Sequence, residues 1–548
     1  MRILVTGDVG FKRVTKIMRL RLSRENVLFF GTIGAALLAL LFTLVLWPFP
    51  QPQMPATPIS NIIVKENAHL GTNSWQIPYD KGASTQIQAY ASATSVSPGQ
   101  KLTFYVSTQI EGAPYSISIY RIGWYSGLGG RLMSFQANQI GHAQGYYNLS
   151  TNRLVGCNSC RVDTQTGLIE AHWQPSHTLT VPSDWTTGVY LAKFTDANDM
   201  QTYAPFVVRG NTHATYVVVT SNTTDEAYNN WGANSLYGYN SSASETNGVG
   251  RAVKVSFDRP YVQSFGSGYV LQFEADAIHW FERQGYDLSY MSSIDLHEDP
   301  AQLLQHRAYL SIGHDEYWTK EMRDGVEHAR DHGVGLAFLG ADAAYWQMRF
   351  EPDSAGVPNR TIVCYKVDTG NDDLARDPLY GTDNTRVTAL WRDPVLNRPE
   401  NALIGIMFSN LTNQSSFPWQ VSSQAKSPLL DGTGLQPGQE YGCDLVGYEW
   451  DRVFANGATP VGLHVLSISH TVYGNNQPDV SNTTYYIAPS GAMVFATGSI
   501  YWTRSLDSYR LYQDKNCAGQ NTVIPGMQKL MARVMDALVI NHPPSKPS

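Results

Sequence analysis

The segment Ala308-Tyr-Leu-Ser-Ile-Gly-His-Asp-Glu-Tyr-Trp318 joins a short apolar run directly to three titratable side chains, those of His314, Asp315 and Glu316. The apolar run predicts a buried strand, and the charge-rich stretch 319–332 behind it predicts a helix. In open α/β sheets, ligands bind outside the carboxyl ends of the strands. The sequence therefore predicts a functional site where this strand ends.

Strand and helix patterns alternate on both sides of this segment. The stretch 269–285 has the spacing of apolar residues that predicts an amphipathic helix. This alternation predicts a doubly wound, parallel α/β domain over 212–548, with a β-rich part from Arg360 onward. The other apolar runs that predict its buried strands are 215–220, 286–290 and 335–340.

The region before this domain, 60–211, has a different pattern. Short runs that alternate or stay apolar for the length of a strand are separated by turn residues such as Ser97-Pro-Gly99. This pattern predicts an all-β sandwich. The clearest of these runs are 102–107, 116–121 and 188–194.

The N-terminus predicts a membrane anchor. Residues 27–47 form an uncharged apolar run of 21 residues, and seven Lys and Arg residues precede it. Such a run can cross a bilayer as a helix, and the positive-inside rule places its basic flank in the cytoplasm. We therefore expect a cytoplasmic tail (1–26), a transmembrane helix (27–47), a proline-rich tether (48–59) and outward-facing domains. A cleaved signal peptide is the alternative.

Composition limits the class of protein further. The chain has 548 residues, 43% hydrophobic and 16% charged, which is typical of well-packed globular domains. Its net charge of −7 argues against a nucleic-acid partner. Of the five cysteines, Cys157 and Cys160 predict a local disulfide or two inert thiols, and the odd number leaves at least one cysteine unpaired.

Five motifs lie near predicted strand ends. Together they resemble the large (β) subunit family of N,N-dimethylformamidase, and the likeness extends into the sandwich at 119–126 and 184–190. The order in which the motifs occur makes the resemblance specific. The five motifs are Ala227-Tyr-Asn-Asn-Trp-Gly-Ala-Asn-Ser-Leu-Tyr237, Val255-Ser-Phe-Asp-Arg-Pro-Tyr261, Gly313-His-Asp-Glu-Tyr-Trp318, Phe338-Leu-Gly-Ala-Asp-Ala-Ala-Tyr-Trp346 and Val446-Gly-Tyr-Glu-Trp-Asp451.

The resemblance implies a glutamine-amidotransferase-like α/β domain that hydrolyses a small amide with one ferric ion, held by two tyrosines and one glutamate. It also implies a separate small subunit as a possible partner. By motif, the metal ligands are Glu316, Tyr228 and Tyr261, and Tyr237 is an alternative to either tyrosine. The expected catalytic residues are His314 beside Glu316, Glu449 as an acid/base group, and Asp342, where the family typically has Asn.

The residue types fit this chemistry. Carboxylate and phenolate oxygens are hard donors that suit a highly charged cation, which can polarise an amide carbonyl. On an extended segment His314 and Glu316 point the same way, so both can face one pocket. The turn Leu339-Gly-Ala-Asp342 has neither Cys nor Ser, which argues against covalent catalysis there.

Other interpretations stay open. Tyr228 or Tyr261 can be packing residues, and Glu316 can cap the helix that follows it. A glycoside hydrolase that uses Glu316 and Glu449 is one alternative function. A non-catalytic surface protein that binds glycans or a partner is another. The favoured prediction is a membrane-anchored, metal-dependent hydrolase acting on the C–N bond of a small amide.

Overall fold

The computed structural model of the protein describes residues 61–210, 213–242, 249–412, 415–509, 517 and 523–540. The predicted cytoplasmic tail, transmembrane helix and tether lie outside these residues. No helix in the described ranges is long and apolar enough to cross a membrane. The predicted single-pass membrane topology, which depended on 27–47 alone, is not supported by these ranges.

Two larger sheets and two two-stranded sheets, β6-β7 and β8-β9, make up the first part of the described chain. A three-stranded sheet has the order β1-β3-β10, and a five-stranded sheet has the order β2-β12-β11-β4-β5. Aromatic side chains of both sheets, among them Phe104, Phe194 and Phe206, share one core. The elements are α1 (Ile62–Asn67), β1 (Ile87–Ala91), β2 (Ser95–Val96), β3 (Lys101–Thr108), β4 (Pro114–Ile122), β5 (Gly130–Ile140), β6 (Tyr146–Asn148), β7 (Arg153–Val155), β8 (Arg161–Asp163), β9 (Leu168–Glu170), β10 (His177–Thr180), β11 (Gly188–Asp196) and β12 (Gln201–Val208).

A seven-stranded mixed sheet organises the second part, and strands and helices follow one another up to its fourth strand along the chain. A π-helical turn, Val270–Glu274, leads into the third helix. The elements are β13 (Tyr216–Thr220), α2 (Asn222–Tyr228), β14 (Lys254–Ser256), α3 (Ala275–Gln284), β15 (Leu288–Ser292), α4 (Ser293–Glu298), β16 (Ala308–Ile312), β17 (Tyr317–Trp318), α5 (Lys320–Asp331) and β18 (Gly335–Leu339).

Short strands dominate the rest of the chain. Its elements are β19 (Trp346–Gln347), β20 (Arg349–Glu351), β21 (Thr361–Val363), α6 (Asn401–Ile404), β22 (Met407–Leu411), β23 (Phe417–Gln420), β24 (Glu440–Val446), β25 (Glu449–Arg452), β26 (His464–Val465), β27 (Ser469–Tyr473), β28 (Gln477–Ser481), β29 (Thr484–Ile487), β30 (Met493–Ala496) and α7 (Pro525–Val539).

The seven-stranded sheet has the order β15-β13-β16-β18-β30-β29-β26. Its first five strands are parallel, and β29 and β26 are antiparallel to their neighbours. Every residue of β13, β16 and β18 is buried. Strands covered on both faces read as continuous apolar runs, which is the pattern seen at 308–312.

The prediction of a doubly wound α/β domain is wrong. The described protein is mostly β, with many small sheets, and only α3, α5 and α7 among its described helices reach ten residues. A doubly wound domain needs a helix in each crossover between parallel strands. Instead, the regular elements of the long connection from β18 to β30 are mainly paired short strands, with α6 as its one described α-helix, so helices do not cover the sheet in that fold's regular way.

A buried ion pair joins the first part of the chain to the second. The guanidinium of Arg121 on β4 lies 2.7 Å from Glu282 Oε1 and 2.9 Å from Oε2, and both side chains have no exposed surface. Glu282, on α3, also accepts hydrogen bonds from the Tyr290 hydroxyl (3.0 Å) and the Asn67 amide (2.8 Å). The pair is therefore fully hydrogen-bonded in a region without water contact.

Two disulfides and one thiol account for the cysteines. Cys157 is bonded to Cys160, which is one of the two alternatives predicted for this spacing. Cys443 is bonded to Cys517, 74 residues apart. Cys364 is a buried thiol.

Candidate active site

The site lies where β16 ends. Gly313 follows the strand with φ +75°, and a Cβ atom there would lie 2.8 Å from Glu274 Cγ, so this tight turn favours glycine. The next three residues are His314, Asp315 and Glu316. The Glu316 backbone N–H donates to the Thr224 hydroxyl of α2 (2.9 Å), which fixes the segment against the helix after β13.

An imidazole lies between two carboxylates at this point. His314 Nε2 is 3.0 Å from Glu449 Oε2 and 3.4 Å from Glu316 Oε2, and all three side chains are at most 4% exposed. Burial acts to lower the pKa of His314, but Glu449, Glu316 and Asp315 outweigh it, so that the pKa is raised. Burial raises the pKa of Glu316, against the opposing effects of His314 and Lys366. The arrangement can hold and move a proton.

Asp342 completes the cluster from the neighbouring strand. It follows β18 in the left-handed region, φ +57°, and its backbone N–H donates to Asp451 Oδ1 (2.8 Å). Single ligand atoms of Asp342, His314 and Glu316 lie within 4.8 Å of one another. Burial, with Glu316, Glu449 and Asp451 nearby, raises the pKa of Asp342 well above its usual range.

Tyrosines surround the cluster. The Tyr237 hydroxyl donates to both oxygens of Glu316, at 2.7 and 3.0 Å, and accepts from the Tyr317 hydroxyl at 2.7 Å. Tyr228 stacks on Tyr237 with ring centroids 4.2 Å apart, and its ring lies 5.2 Å from that of His314. The Tyr269 ring lies 5.7 Å from Tyr228. Tyr228 and Tyr237, two of the predicted tyrosines, thus lie at the site.

Tyr261 does not lie at this site. It lines a separate small cavity together with Arg259 and Arg360. Arg259 is buried and pairs with Glu226 at 2.6 Å, and it donates to backbone carbonyls of the loop after α2, including that of Asn229. These bonds tie the Arg-Pro-Tyr segment to α2 and the loop after it. No hydrogen bond or ring contact among the described residues joins Tyr261 to Glu316, so its predicted role as a ligand does not fit its surroundings.

Lys366 is a residue at the site that the motifs did not reveal. Its ammonium lies 3.5 Å from the centroid of the Tyr237 ring, 5.1 Å from that of Tyr317 and 5.0 Å from that of Trp346. Burial lowers its pKa to about 8. An isolated lysine three residues beyond the end of a three-residue strand, β21, carries no sequence signal, because its contacts are formed only in the folded chain.

A cleft of about 590 Å³ opens beside these residues. Glu449 and Leu411 line the cleft. Glu316 does not line it and is hydrogen-bonded to Tyr237, which does. Most of the lining is aromatic. Six tyrosines form it, Tyr228, Tyr237, Tyr239, Tyr269, Tyr448 and Tyr501.

The donor atoms fit a cation. His314 Nδ1 and Asp342 Oδ1 are buried and lack a hydrogen-bond partner among the described residues, whereas His314 Nε2 and Glu449 Oε2 face each other at 3.0 Å. Buried polar atoms without partners are costly, and a bound cation is one way to satisfy the oxygens. Carboxylate and phenol oxygens suit a hard ion such as ferric iron.

A further buried carboxyl lies behind the site. Glu274 Oε1 accepts from the Ser221 backbone N–H (2.9 Å), and burial raises the pKa of Glu274 from 4.5 to about 8. The nearby Asp225 has its pKa raised well above the usual range, first by burial and then by Glu274. The folded state therefore binds protons that the unfolded chain releases at lower pH.

We expect Glu274→Gln to weaken the pH dependence of stability. A group whose pKa is raised on folding stabilises the folded state fully below its unfolded pKa and loses that contribution as pH rises through the folded value. The urea midpoint of the wild type should thus fall between pH 5 and pH 8, and that of Glu274→Gln should fall less. The control is Glu440→Gln, an exposed glutamate on β24. Parallel curves for wild type and Glu274→Gln would contradict the assignment.

Sequence comparisons identify one matching family. Residues 116–518 match the family described as N,N-dimethylformamidase beta subunit-like, C-terminal. The N,N-dimethylformamidase beta subunit of an Alcaligenes species is 24% identical over 406 residues, which cover 62% of this chain and 52% of the relative. That of Paracoccus aminophilus is 25% identical over 275 residues, covering 44% and 35%. The matches thus span about half the length of these curated relatives or less.

Two solved structures that match the chain resemble it too weakly to inform its fold. A superoxide reductase from Ignicoccus hospitalis has a TM-score of 0.15 and 12% identity, over 26% of this chain and 94% of that one. A cycloisomaltooligosaccharide glucanotransferase from Paenibacillus sp. has a TM-score of 0.18 and 8% identity, over 74% of this chain and 97% of that one.

Proposed function

Because the chain belongs to the N,N-dimethylformamidase beta subunit-like family, we propose that it is a metal-dependent hydrolase that cleaves the C–N bond of an amide. One observation carries the proposal. His314 lies between Glu316 and Glu449 in a buried cluster, and Glu449 reaches the wall of a tyrosine-lined cleft. This places a proton-transfer group and oxygen donors beside a space that admits a small molecule.

The cation in this proposal is ferric iron, as the family resemblance implies. Glu316 and Tyr228 would hold it, with Tyr237 or Tyr269 as the second phenolate, since their rings lie 4.2 and 5.7 Å from that of Tyr228. When bound, the ion supplies a Lewis acid that polarises the amide carbonyl and acidifies water. Tyr237 already donates to both oxygens of Glu316, which fixes the orientation of that carboxylate.

Side chains of the protein itself would then transfer the protons. Glu449 reaches the cleft and can accept a proton from water and return it to the departing amine nitrogen. His314, 3.0 Å away, stabilises the negative charge of Glu449. Asp342 lies beside His314 and Glu316, and burial raises its pKa. While it is protonated it can donate a hydrogen bond.

The geometry does not favour glycoside hydrolysis. A two-carboxylate glycosidase needs room between its carboxyl groups for the sugar and, in inverting enzymes, for water. Here the His314 imidazole lies between Glu316 and Glu449, at 3.4 and 3.0 Å. The convergence of Glu316 with Tyr228 and Tyr237 also argues against a purely structural role for these side chains.

We further propose that the protein works in an assembly of more than one polypeptide. Both curated relatives are named as beta subunits, which supports this proposal. Light scattering of the purified protein, alone and with a co-expressed small subunit, would test it. A monomer under both conditions would contradict it.

The decisive experiment measures metal content and amine release together. The wild type is expected to contain close to one iron per chain and to release dimethylamine from N,N-dimethylformamide. Glu449→Gln should lower kcat by about 100-fold, the lower range for loss of a general acid/base group, while iron stays bound. Tyr79→Phe, an exposed tyrosine far along the chain from the site, is the control. A wild type without metal and without activity after iron addition would refute the proposal.

A further inference from the structure

We infer that the cleft accepts amides that carry an aromatic ring, as in formanilide (N-phenylformamide), in preference to small dialkyl amides. This inference rests on the proposed amide hydrolysis and concerns its substrate class. Three observations support the inference: the volume of the cleft, the tyrosines that line it, and the difference in exposure between the side chains at its inner and outer ends.

Size is the first argument. The cleft measures about 590 Å³, within the range of roughly 300–1,000 Å³ that holds drug-sized ligands. A five-heavy-atom amide such as N,N-dimethylformamide fills on the order of 150 Å³, at about 30 Å³ for each water-sized atom. Most of the cleft would then contain water, and the small amide would touch only part of the wall.

The lining is the second argument. Tyr228 and Tyr269 meet edge to face at 66° with centroids 5.7 Å apart, and Tyr448 and Tyr501 meet at 62° and 5.8 Å. Tyr239 lies 5.6 Å from Tyr237 at 45°. Rings at these angles offer both faces and edges to a ligand, which is how aromatic rings prefer to pack. A planar ring in the cleft can therefore make several such contacts.

The burial gradient sets the direction in which the substrate binds. Glu449 and Tyr228 are 3% and 8% exposed, whereas Tyr239 and Leu411 are 75% and 46% exposed. The carboxylate therefore marks the inner end of the cleft, and Tyr239 and Leu411 mark its mouth. An amide group placed beside Glu449 leaves its aromatic substituent to extend outward against these two apolar side chains.

The test compares two amides on the purified, iron-loaded protein. Formanilide is expected to show at least a tenfold higher kcat/KM than N,N-dimethylformamide, mainly through a lower KM, because its ring can make favourable contacts with several tyrosines that the small amide does not reach. Tyr239→Ala should lower kcat/KM for formanilide about fivefold, and more than it lowers that for the small amide. Tyr79→Ala, at another exposed tyrosine, should leave the ratio unchanged.

Binding of benzamide, followed by calorimetry, separates this inference from the proposed function. Equal kcat/KM for both amides overturns the inference and leaves amide hydrolysis standing. Benzamide binding that Tyr239→Ala weakens, with neither amide hydrolysed, supports the aromatic cleft and overturns the hydrolase assignment. Absence of both binding and hydrolysis overturns both.

Discussion

Glu316→Gln is expected to remove the bound iron and to lower amide hydrolysis by about 1,000-fold. The substitution keeps the size and shape of the side chain, and the amide oxygen can still accept from the Tyr237 hydroxyl. It removes the negative charge that a ferric ion requires from its carboxylate ligand. The expected factor matches the upper range measured when one preorganised electrostatic group is deleted from an active site. Iron analysis and amine release in the same preparation check it.

The control for this substitution is Glu440→Gln, which removes a charge of the same type from an exposed position on β24. Glu316→Asp adds a second comparison, because it keeps the charge and shortens the side chain, so part of the iron should remain. Loss of activity with full iron occupancy in Glu316→Gln would show that this carboxylate acts on protons and does not bind the metal. Full activity would remove Glu316 from the site altogether.

The position of the candidate site could be predicted because two of its residues are near neighbours in the sequence. His314 and Glu316 follow an apolar run, and such runs form strands buried on both faces, as β16 is. The carboxyl end of a parallel strand is a common ligand-binding position, so one short segment gave both the location and two side chains. Glu449 and Asp342 became predictable only through the motifs of the family.

Other parts depended on contacts that a single sequence does not encode. Tyr261 was expected at the site, but the buried Arg259–Glu226 pair ties its segment to α2, and Tyr261 lines a separate cavity. Lys366 reaches Tyr237 across the cluster although 129 positions separate them in the sequence. The doubly wound fold failed for a related reason. Local periodicity predicts single strands and helices, yet it does not predict that paired short strands replace the helical crossover between β18 and β30.

The second prediction concerns Arg121→Ala, which we expect to destabilise the protein by about 3–5 kcal/mol. The substitution leaves the Glu282 carboxylate buried, with only the Tyr290 hydroxyl and the Asn67 amide to donate to it. An uncompensated charge in a site without water is among the largest single losses that a folded protein can suffer. Since whole domains are stable by only about 5–15 kcal/mol, the urea midpoint should fall markedly.

A double variant distinguishes two contributions to stability. One is the free energy lost when the Glu282 carboxylate is left unpaired, and the other is the net stabilisation by the Arg121–Glu282 ion pair. Replacing a buried ion pair by apolar side chains of similar volume is often close to neutral, so Arg121→Met with Glu282→Leu should be more stable than Arg121→Ala alone. Arg153→Ala, which removes an exposed arginine on β7, should leave the midpoint unchanged. If the double variant were no more stable than Arg121→Ala, the hydrogen bonds of the pair, rather than the unpaired charge, would be what holds β4 against α3.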